Sequence, residues 1–296
     1  MKGALKARLK TGLCKNWYMN KIWFITGTSR GFGRAYAEEA LARGDKVIAA
    51  ARIINIGEDA FWSDPNVYPL ALDVTDSERV KAAVNEAVEH FGRIDILVNN
   101  AGYGFTGALE ECSEKELRAL FDTCFFGLAN VTKAIIPVMR RQMSGRIINI
   151  ASRSGMIGEA GITPYNAVKF AVVGLSEGLN EELSDFNIQV MVVCPGAFRT
   201  DFRDCSSKRE PANIMSEYDG KLGHRAMIGT RAGNHKQQGD PRKAAKLVYE
   251  IAVSEKMPVK LMLGKDCCDD VIAKMRRDID EIAHYYESSS DTRFDA

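Results

Sequence analysis

Short apolar runs alternate with amphipathic stretches along most of the chain. Seven runs rich in β-branched side chains predict strands at 22–25, 47–52, 67–72, 94–98, 146–151, 189–193 and 259–263. Between most of these runs, apolar residues recur at helical spacing. Strands that alternate with helices predict an α/β fold with an open sheet, in which ligands bind at the carboxyl ends of the strands.

Capping signals place two helices. Residues Ser113–Glu116 form a capping box that opens a long helix toward Met139, and Pro137 is expected to bend or end this helix. Asp240 and Pro241 supply an N-cap and a first-turn proline for a second helix. A closing helix carries an apolar stripe that is expected to be core or interface, formed by Val271, Met275, Ile279, Ile282 and Tyr286.

Three segments stand apart from this pattern. Residues 1–18 carry five basic residues and no acidic one, which favours a basic N-terminal extension before Met19 over an organelle-targeting peptide. Residues 201–239 lose periodicity and gain charge, which predicts a lid over a substrate site. The folded domain is expected to span 19–287, and 288–296 to form a C-terminal tail.

Composition restricts the possible partners and the compartment. The 296 residues include 40 basic and 39 acidic side chains, so charge offers no general attraction to nucleic acid or membrane, and small-molecule partners are expected. No apolar run approaches the roughly 20 residues of a membrane span, which favours a soluble protein. Seven scattered cysteines without metal-ligand spacing favour a reducing, cytoplasmic compartment and predict no metal site.

The first strand leads into a glycine-rich turn. Thr-Gly-Thr-Ser-Arg-Gly-Phe-Gly at 26–33 is followed at once by a helical pattern. Glycines let a backbone approach a diphosphate, and the helix amino end offers unpaired N–H groups to it. Such turns also join strands to helices without a ligand, but this one opens a βαβ unit, which favours a nucleotide site.

The end of the second strand indicates which dinucleotide would bind. A carboxylate there would accept hydrogen bonds from a free ribose 2′-hydroxyl, but the chain has Ala51 followed by Arg52. Arg52 and Arg30 are both able to hold a 2′-phosphate in a bidentate manner, which predicts NADP rather than NAD. The alternative is that both arginines are solvated loop residues. Asp73, after the third strand, is placed to face an adenine edge.

A hydroxyl, a phenol and an ammonium are candidates for catalysis. Ser152 follows a strand, and Tyr165 and Lys169 lie four apart in a helical segment, so their side chains share one face. A phenol ionises near pH 10, and a neighbouring cation favours the phenolate. Tyr and Lys at this spacing are also common on helix surfaces. The segment 99–102, Asn-Asn-Ala-Gly, is too small and polar for a core and is interpreted as a loop near the cofactor.

In order and spacing, these motifs resemble those of the short-chain dehydrogenase/reductase family from about residue 21 to 286. The motifs are Thr26-Gly27-x-x-x-Gly31-x-Gly33, Asp73, 99–102, Ser152, Tyr165-x-x-x-Lys169 and Pro195-Gly196-x-x-x-Thr200. With Arg30, Arg52 and residues 261–264, the chain is most similar to the NADP-dependent group of 17β-hydroxysteroid and retinol dehydrogenases.

The resemblance implies a single Rossmann-type domain with a doubly wound, seven-stranded parallel sheet. It implies that Tyr165 exchanges a proton with substrate, that Ser152 orients the carbonyl, and that Lys169 lowers the pKa of Tyr165 and binds the nicotinamide ribose. It also implies a homodimer or homotetramer formed through the helices at 113–139 and 165–183. The expected cofactor-binding residues are Gly27, Ser29, Arg30, Gly31, Phe32, Arg52, Asp73, Val74, Asn100, Ala101, Gly102, Tyr165, Lys169, Pro195, Gly196, Phe198 and Thr200.

One position departs from the family pattern. An Asn that usually holds a water in the proton relay falls, by count from Gly102, at Cys124, whose thiol is a weak hydrogen-bonding group. Two functions follow. The first is an NADP(H)-dependent oxidoreductase that interconverts an alcohol with a ketone or aldehyde, with a hydrophobic substrate. The second is a catalytically weak NADPH-binding regulator or scaffold. The joint presence of Ser152, Tyr165 and Lys169 favours the enzyme.

Overall fold

The computed structural model describes residues 20–57 and 59–294, so the expectations for residues 1–18 lie outside the described residues. Seven parallel strands form one sheet, which confirms the predicted fold. They are β1 (Ile22–Thr26), β2 (Lys46–Ala51), β3 (Val67–Ala71), β4 (Ile96–Asn99), β6 (Gly145–Ile150), β7 (Ile188–Pro195) and β9 (Lys260–Leu263). Two short strands, β5 (Gly104–Phe105) and β8 (Lys208–Arg209), pair in parallel outside this sheet.

Eight α-helices lie within the described residues. They are α1 (Gly31–Ala42), α2 (Ser77–Phe91), α3 (Glu114–Phe121), α4 (Gly127–Gln142), α5 (Thr163–Glu182), α6 (Leu222–Ala232), α7 (Pro241–Ala252) and α8 (Lys265–Ser290). Helices α1 and α7 pack together over one face of the sheet, while α2 and α4 pack together over the other. The strands are buried on both faces, which is why they appear in the sequence as continuous apolar runs.

The strand order β3-β2-β1-β4-β6-β7-β9 reverses direction between β1 and β4. The connections from these two strands leave toward opposite sides, so a crevice opens at their carboxyl ends. The loops after β1, β4 and β6 carry the glycine turn, residues 100–102 and Ser152 respectively. The topology therefore brings together motifs that are far apart in the sequence.

The long helix differs from expectation at two points. Pro137 does not end the helix, because α4 continues through it to Gln142. A proline removes one backbone hydrogen bond, but Ile135, Val138 and Met139 around it are buried in the core, and this packing retains the helical path. The interruption lies earlier, in a π-helical turn at Asp122–Phe126.

The same helix was also compared in length and composition with a membrane-spanning helix. The continuous helical segment Glu114–Gln142 is 29 residues long and apolar enough to cross a membrane by length and composition. The expectation that no apolar run approaches such a length is therefore wrong for this segment. Its apolar residues Leu128, Val131 and Ile135 are buried against the other elements, so this face of the helix belongs to the core.

The ends of the domain also differ from expectation. Within the apolar stripe of α8 only Val271 is buried, whereas Met275, Ile279, Ile282 and Tyr286 are exposed by 42% or more. A core role for the stripe is therefore wrong in the single chain, and an interface role stays a prediction. Helix α8 ends at Ser290, so the tail begins later than residue 288. The lid segment, expected to lack regular structure, contains β8 and α6.

The close approach between the glycine turn and α1 yields a stability prediction. A Cβ at Gly33 would lie 2.2 Å from the Gly27 carbonyl oxygen and 2.5 Å from Nδ2 of Asn100. We expect Gly33→Ala to lower the free energy of unfolding by about 1–3 kcal/mol, because the turn must open to accept the methyl group. The midpoint of urea unfolding measures this.

Gly178 is the matched control, because it lies within α5 and a Cβ there meets nothing within 4 Å. Gly178→Ala is expected to leave stability unchanged or to raise it by up to about 1 kcal/mol. Equal stability of Gly33→Ala and the wild type would contradict the close packing of Gly33 against Gly27 and Asn100.

Candidate active site

One cleft of about 1340 Å³ lies at the carboxyl ends of the strands. Every residue predicted to be catalytic or cofactor-binding lines it, from Gly27 in the glycine turn to Thr200 after β7. The volume exceeds the roughly 300–1,000 Å³ of a pocket for one drug-sized ligand, so a dinucleotide and a second molecule fit together. What each residue does in the cleft stays a prediction at this point.

The glycine turn is shaped to receive an anion. Gly27 and Gly31 adopt positive φ angles of 73° and 61°, which bend the chain sharply between β1 and α1. The first turn of α1 contains no acidic residue, and no side chain caps its amino end. Its unpaired N–H groups therefore face the cleft without a competing partner, as a diphosphate requires.

Asn100 fixes the glycine turn to the loop after β4. Its side-chain Nδ2 donates to the carbonyl oxygens of Thr26 and Gly27 at 3.0 and 3.1 Å, and its backbone N–H donates to Oγ1 of Thr26. The amide thus holds two neighbouring connections of the sheet in one geometry. Its role is in positioning the cleft wall, a role that the sequence did not reveal.

The interpretation of 99–102 as loop is wrong at its first residue. Asn99 ends β4 and is only 3% exposed. Its Nδ2 donates to Oγ1 of Thr132 and Oδ1 of Asn149, each at 2.8 Å. A buried amide is tolerated where it has hydrogen-bond partners, so this polar residue belongs to the core.

The ribose end of the cleft holds both predicted arginines. Arg52 is exposed directly after β2, and no ion pair engages it among the residues the structure describes. Arg30 donates from both terminal nitrogens to Ser206 of the lid, at 2.7 Å to Oγ and 2.8 Å to the carbonyl oxygen. Asp73 also lines the cleft, but one of its carboxylate oxygens accepts hydrogen bonds from Thr75.

At the other end of the cleft, Ser152, Tyr165 and Lys169 converge. Tyr165 and Lys169 project from the first turns of α5 and are each 7% exposed, and the Ser152 side chain is close enough to the Tyr165 phenol to lower its pKa. The Lys169 ammonium donates to the Ile150 carbonyl oxygen at 2.9 Å and lies 5.7 Å from the centre of the Tyr165 ring. Within the described chain it has no carboxylate partner.

Burial controls the ionisation of these groups. Desolvation raises the pKa of the Tyr165 phenol well above its usual value, and the Ser152 side chain opposes this only in part. Desolvation also lowers the pKa of Lys169. Burial therefore dominates the pKa of Tyr165 in the protein alone, and the expected lowering by Lys169 stays a prediction. The phenol is protonated at neutral pH.

Cys124 lies directly behind this group, in the π-helical turn. It is 2% exposed, and its Sγ donates weakly to the Tyr103 carbonyl oxygen at 3.6 Å. Burial raises the pKa of the thiol, so it is neutral near pH 7. A neutral thiol committed to a carbonyl has little capacity to order a water.

The lid supplies the wall opposite Tyr165. The ring of Phe202 lies 6.0 Å from the Tyr165 ring, and α6 is anchored by a buried hydrogen bond of 2.7 Å between Nε2 of His224 and Oε1 of Glu111. That bond raises the pKa of His224, which favours the charged, anchored form. The sequence predicted the lid and its apolar residues Phe202 and Leu222. It did not identify four further residues that line the cleft: Tyr103, Phe105, Arg209 and Arg225. Only Tyr103, next to Asn-Ala-Gly, had a signal that could have identified it.

Comparison with known proteins agrees with this geometry. The short chain dehydrogenase family profile matches residues 21–211. Oxidoreductase BOA17 of Botryotinia fuckeliana is 37% identical over 255 residues, which cover 85% of this chain and 91% of the relative. A 3-ketodihydrosphingosine reductase of Bacteroides thetaiotaomicron is also 37% identical, over 249 residues, with 82% and 88% covered.

Solved structures give the same result. A short-chain dehydrogenase from Streptomyces avermitilis superposes with a TM-score of 0.85 at 38% identity, covering 93% of this chain and all of the other. ElxO with NADP bound superposes with a TM-score of 0.68 at 28% identity, covering 83% and 97%. With its seven-stranded sheet, its glycine turn and its Ser, Tyr and Lys in one cleft, this chain belongs to the short-chain dehydrogenase/reductase family of oxidoreductases.

Proposed function

We propose that the protein is an NADP(H)-dependent oxidoreductase that interconverts a carbonyl and an alcohol, with Tyr165 as the general acid–base. The observation that carries the proposal is the convergence of a buried phenol, a hydroxyl and an ammonium at one end of a cleft whose other end is a glycine turn with two arginines. A regulator or scaffold that only binds the cofactor would not need a phenol, a hydroxyl and an ammonium together at one end of the cleft.

The cofactor end of the cleft supports NADP(H). The open amino end of α1 suits a diphosphate, and Arg30 and Arg52 suit a 2′-phosphate where the chain has no carboxylate to repel it. Arg30 would exchange its contacts with Ser206 for this phosphate. When bound, NADP(H) supplies or accepts the hydride. Lys169, an ammonium with one carbonyl partner, has donors left for ribose hydroxyls.

The residues at the reacting end divide the work on the substrate oxygen. In reduction, Ser152 donates a hydrogen bond to the carbonyl oxygen as negative charge develops on it, and the protonated Tyr165 transfers its proton to the same oxygen. In oxidation the phenolate must form, and the Lys169 cation beside the ring stabilises it. The buried location excludes water that would compete for the proton.

The substrate is proposed to be hydrophobic around its carbonyl. Phe105 and Phe202 lie close to Tyr165 and line the cleft, and Leu222 of α6 adds apolar surface to the same cleft. We further propose a homodimer or homotetramer, because Phe126 and Phe170 on the expected interface helices are exposed by 54% and 41%. A cytoplasmic location stays a prediction.

Removal of the phenolic oxygen tests the chemistry. Tyr165→Phe is expected to lower kcat for NADPH-dependent ketone reduction by about 10²–10⁴-fold, because the proton donor is lost while the ring remains. Consumption of NADPH measures this across a panel of ketones and aldehydes. Tyr36→Phe is the control, since that buried hydroxyl has no partner among the described residues and lies outside the cleft. Equal rates for Tyr165→Phe and wild type would refute the proposal.

Arg52 tests the cofactor preference. Arg52→Asp is expected to shift the ratio of kcat/KM values from NADPH toward NADH by about 10- to 100-fold, because a charged hydrogen-bond pair is replaced by a repulsive carboxylate. Lys46→Asp is the control, because it makes the same charge change at the opposite end of β2, outside the cleft. An unchanged ratio in Arg52→Asp would contradict the 2′-phosphate assignment.

Variants of Cys124 distinguish an active enzyme from a catalytically weak regulator or scaffold that binds NADPH. Because its thiol makes one weak hydrogen bond and is neutral, Cys124→Ala is expected to keep kcat within about threefold of wild type. Cys124→Asn, which adds both a donor and an acceptor, is expected to match or exceed the wild type. NADPH binding without ketone turnover in all three proteins would instead support the regulator or scaffold.

A further inference from the structure

The charged groups that line the cleft differ in whether they have partners. Two acidic residues of the cleft have ion-pair partners. The Asp59 carboxylate lies 2.7 Å from the guanidinium of Arg34, which does not line the cleft, and the Glu159 carboxylate lies 2.7 Å from the guanidinium of Arg153. On the substrate side, Arg209 and Arg225 line the cleft, and neither makes an ion pair within the described chain. Asp201 and Asp266 also line the cleft, but no ion pair among the described residues joins either of them to Arg209 or Arg225, so both guanidinium groups stay open to an anion.

The backbone of Arg209 is fixed beside the reacting groups. Strand β8 pairs with β5, and the Thr106 N–H donates to the Arg209 carbonyl oxygen at 3.0 Å. The guanidinium lies 4.5 Å from the centre of the Tyr103 ring. Burial raises the pKa of Tyr103 to about 12 and also raises the pKa of Cys124, and the charge of Arg209 opposes both shifts. The charge of Arg209 therefore acts on Cys124, which packs against Tyr165.

Arg225 approaches the same space from the lid. It lies on α6 with Leu222, Ala226 and Gly229, which also line the cleft, so this face of the helix is turned inward. The anchor between His224 and Glu111 holds α6 in place from the next position in the sequence. Arg225 is exposed and carries no hydrogen bond within the described residues, so its guanidinium is available to a ligand.

The carboxylate nearest in sequence to Arg209 is already occupied. Glu210 accepts from the Lys208 ammonium at 2.7 Å and also pairs with Arg231. Arg30 and Arg52 belong to the glycine turn and the end of β2, whereas Arg209 and Arg225 belong to the lid. Arg209 and Arg225 are thus a pair of cleft-lining guanidinium groups without a carboxylate partner among the described residues, and guanidinium groups bind carboxylates and phosphates in a bidentate manner.

We infer that the carbonyl substrate carries an anionic group, a carboxylate or a phosphate, that pairs with Arg209 and Arg225 while its apolar part packs on Phe105 and Phe202. This inference rests on the proposed function and specifies its substrate class. The anion orients the substrate so that its carbonyl reaches Ser152 and Tyr165. Because both arginines are accessible to solvent, salt weakens the attraction.

The test uses matched substrate pairs. Oxo acids of graded chain length and their methyl esters are compared with NADPH, since each pair differs in the anion but not in the ketone. In wild type, kcat/KM is expected to be about tenfold higher for the acid than for the ester, and this ratio falls as salt is added. Phosphate-bearing ketones of similar length show which anion is preferred.

The variants assign the preference to named residues. Arg209→Gln and Arg225→Gln are expected to raise KM for the acid with little change in kcat, and to bring the acid and ester close to equality. Lys221→Gln is the matched control, because it removes the same charge from the lid at a residue that does not line the cleft. It is expected to leave the preference intact.

The outcomes separate this inference from the function on which it rests. Equal or faster reduction of the esters by wild type, or an equal loss for acid and ester in Arg209→Gln, overturns the anionic substrate and leaves the oxidoreductase in place. Turnover of neutral ketones, without turnover of any oxo acid or phosphate-bearing ketone, likewise overturns the anionic substrate and leaves the oxidoreductase in place. Failure to reduce any carbonyl with NADPH refutes the proposed function, and the inference with it.

Discussion

A buried ammonium without a carboxylate partner among the described residues is the constraint on which the site depends. Transfer of a charge from water into a protein is costly unless other groups solvate it, and among the described residues the Lys169 amine donates only to the Ile150 carbonyl oxygen, at 2.9 Å. The same burial keeps the Tyr165 phenol protonated. The protein therefore places the Lys169 amine and a protonated phenol side by side in a buried part of the cleft, and the proposed oxidoreductase uses both groups.

The rest of the fold positions this pair. Reversal of the strand order between β1 and β4 opens the crevice, and Asn100 ties the two connections across it. The absence of a side chain at Gly33 lets α1 begin against the turn, which directs its free N–H groups into the cleft. Helix α5 then presents Tyr165 and Lys169 from its first turns, opposite Ser152 at the end of β6. Binding and chemistry thus share one rigid edge of the sheet.

Much of this arrangement was predictable, because the physical causes are local. Continuous apolar runs predict buried strands, and Gly, Ser, Tyr and Lys at fixed spacing predict the positions that line the cleft. Long-range packing decides the remainder. Pro137 stays helical because its neighbours are buried, and Asn99 enters the core because Thr132 and Asn149 supply partners from distant elements. The high pKa of Tyr165 depends on burial, which spacing does not report. The cationic pair of Arg209 and Arg225 depends on how the lid folds back, and no motif marks it.

The pH dependence of kcat/KM for the ketone at saturating NADPH tests the central claim most directly, because it reports the ionisation of the enzyme–NADPH complex that binds the ketone. If buried Tyr165 is the proton donor, the acid form is required. Activity should then stay level through neutral pH and fall with a single ionisation only as the pH rises into the alkaline range. A rate that increases with pH through neutrality, or that shows no alkaline loss while the fold is intact, would contradict the account.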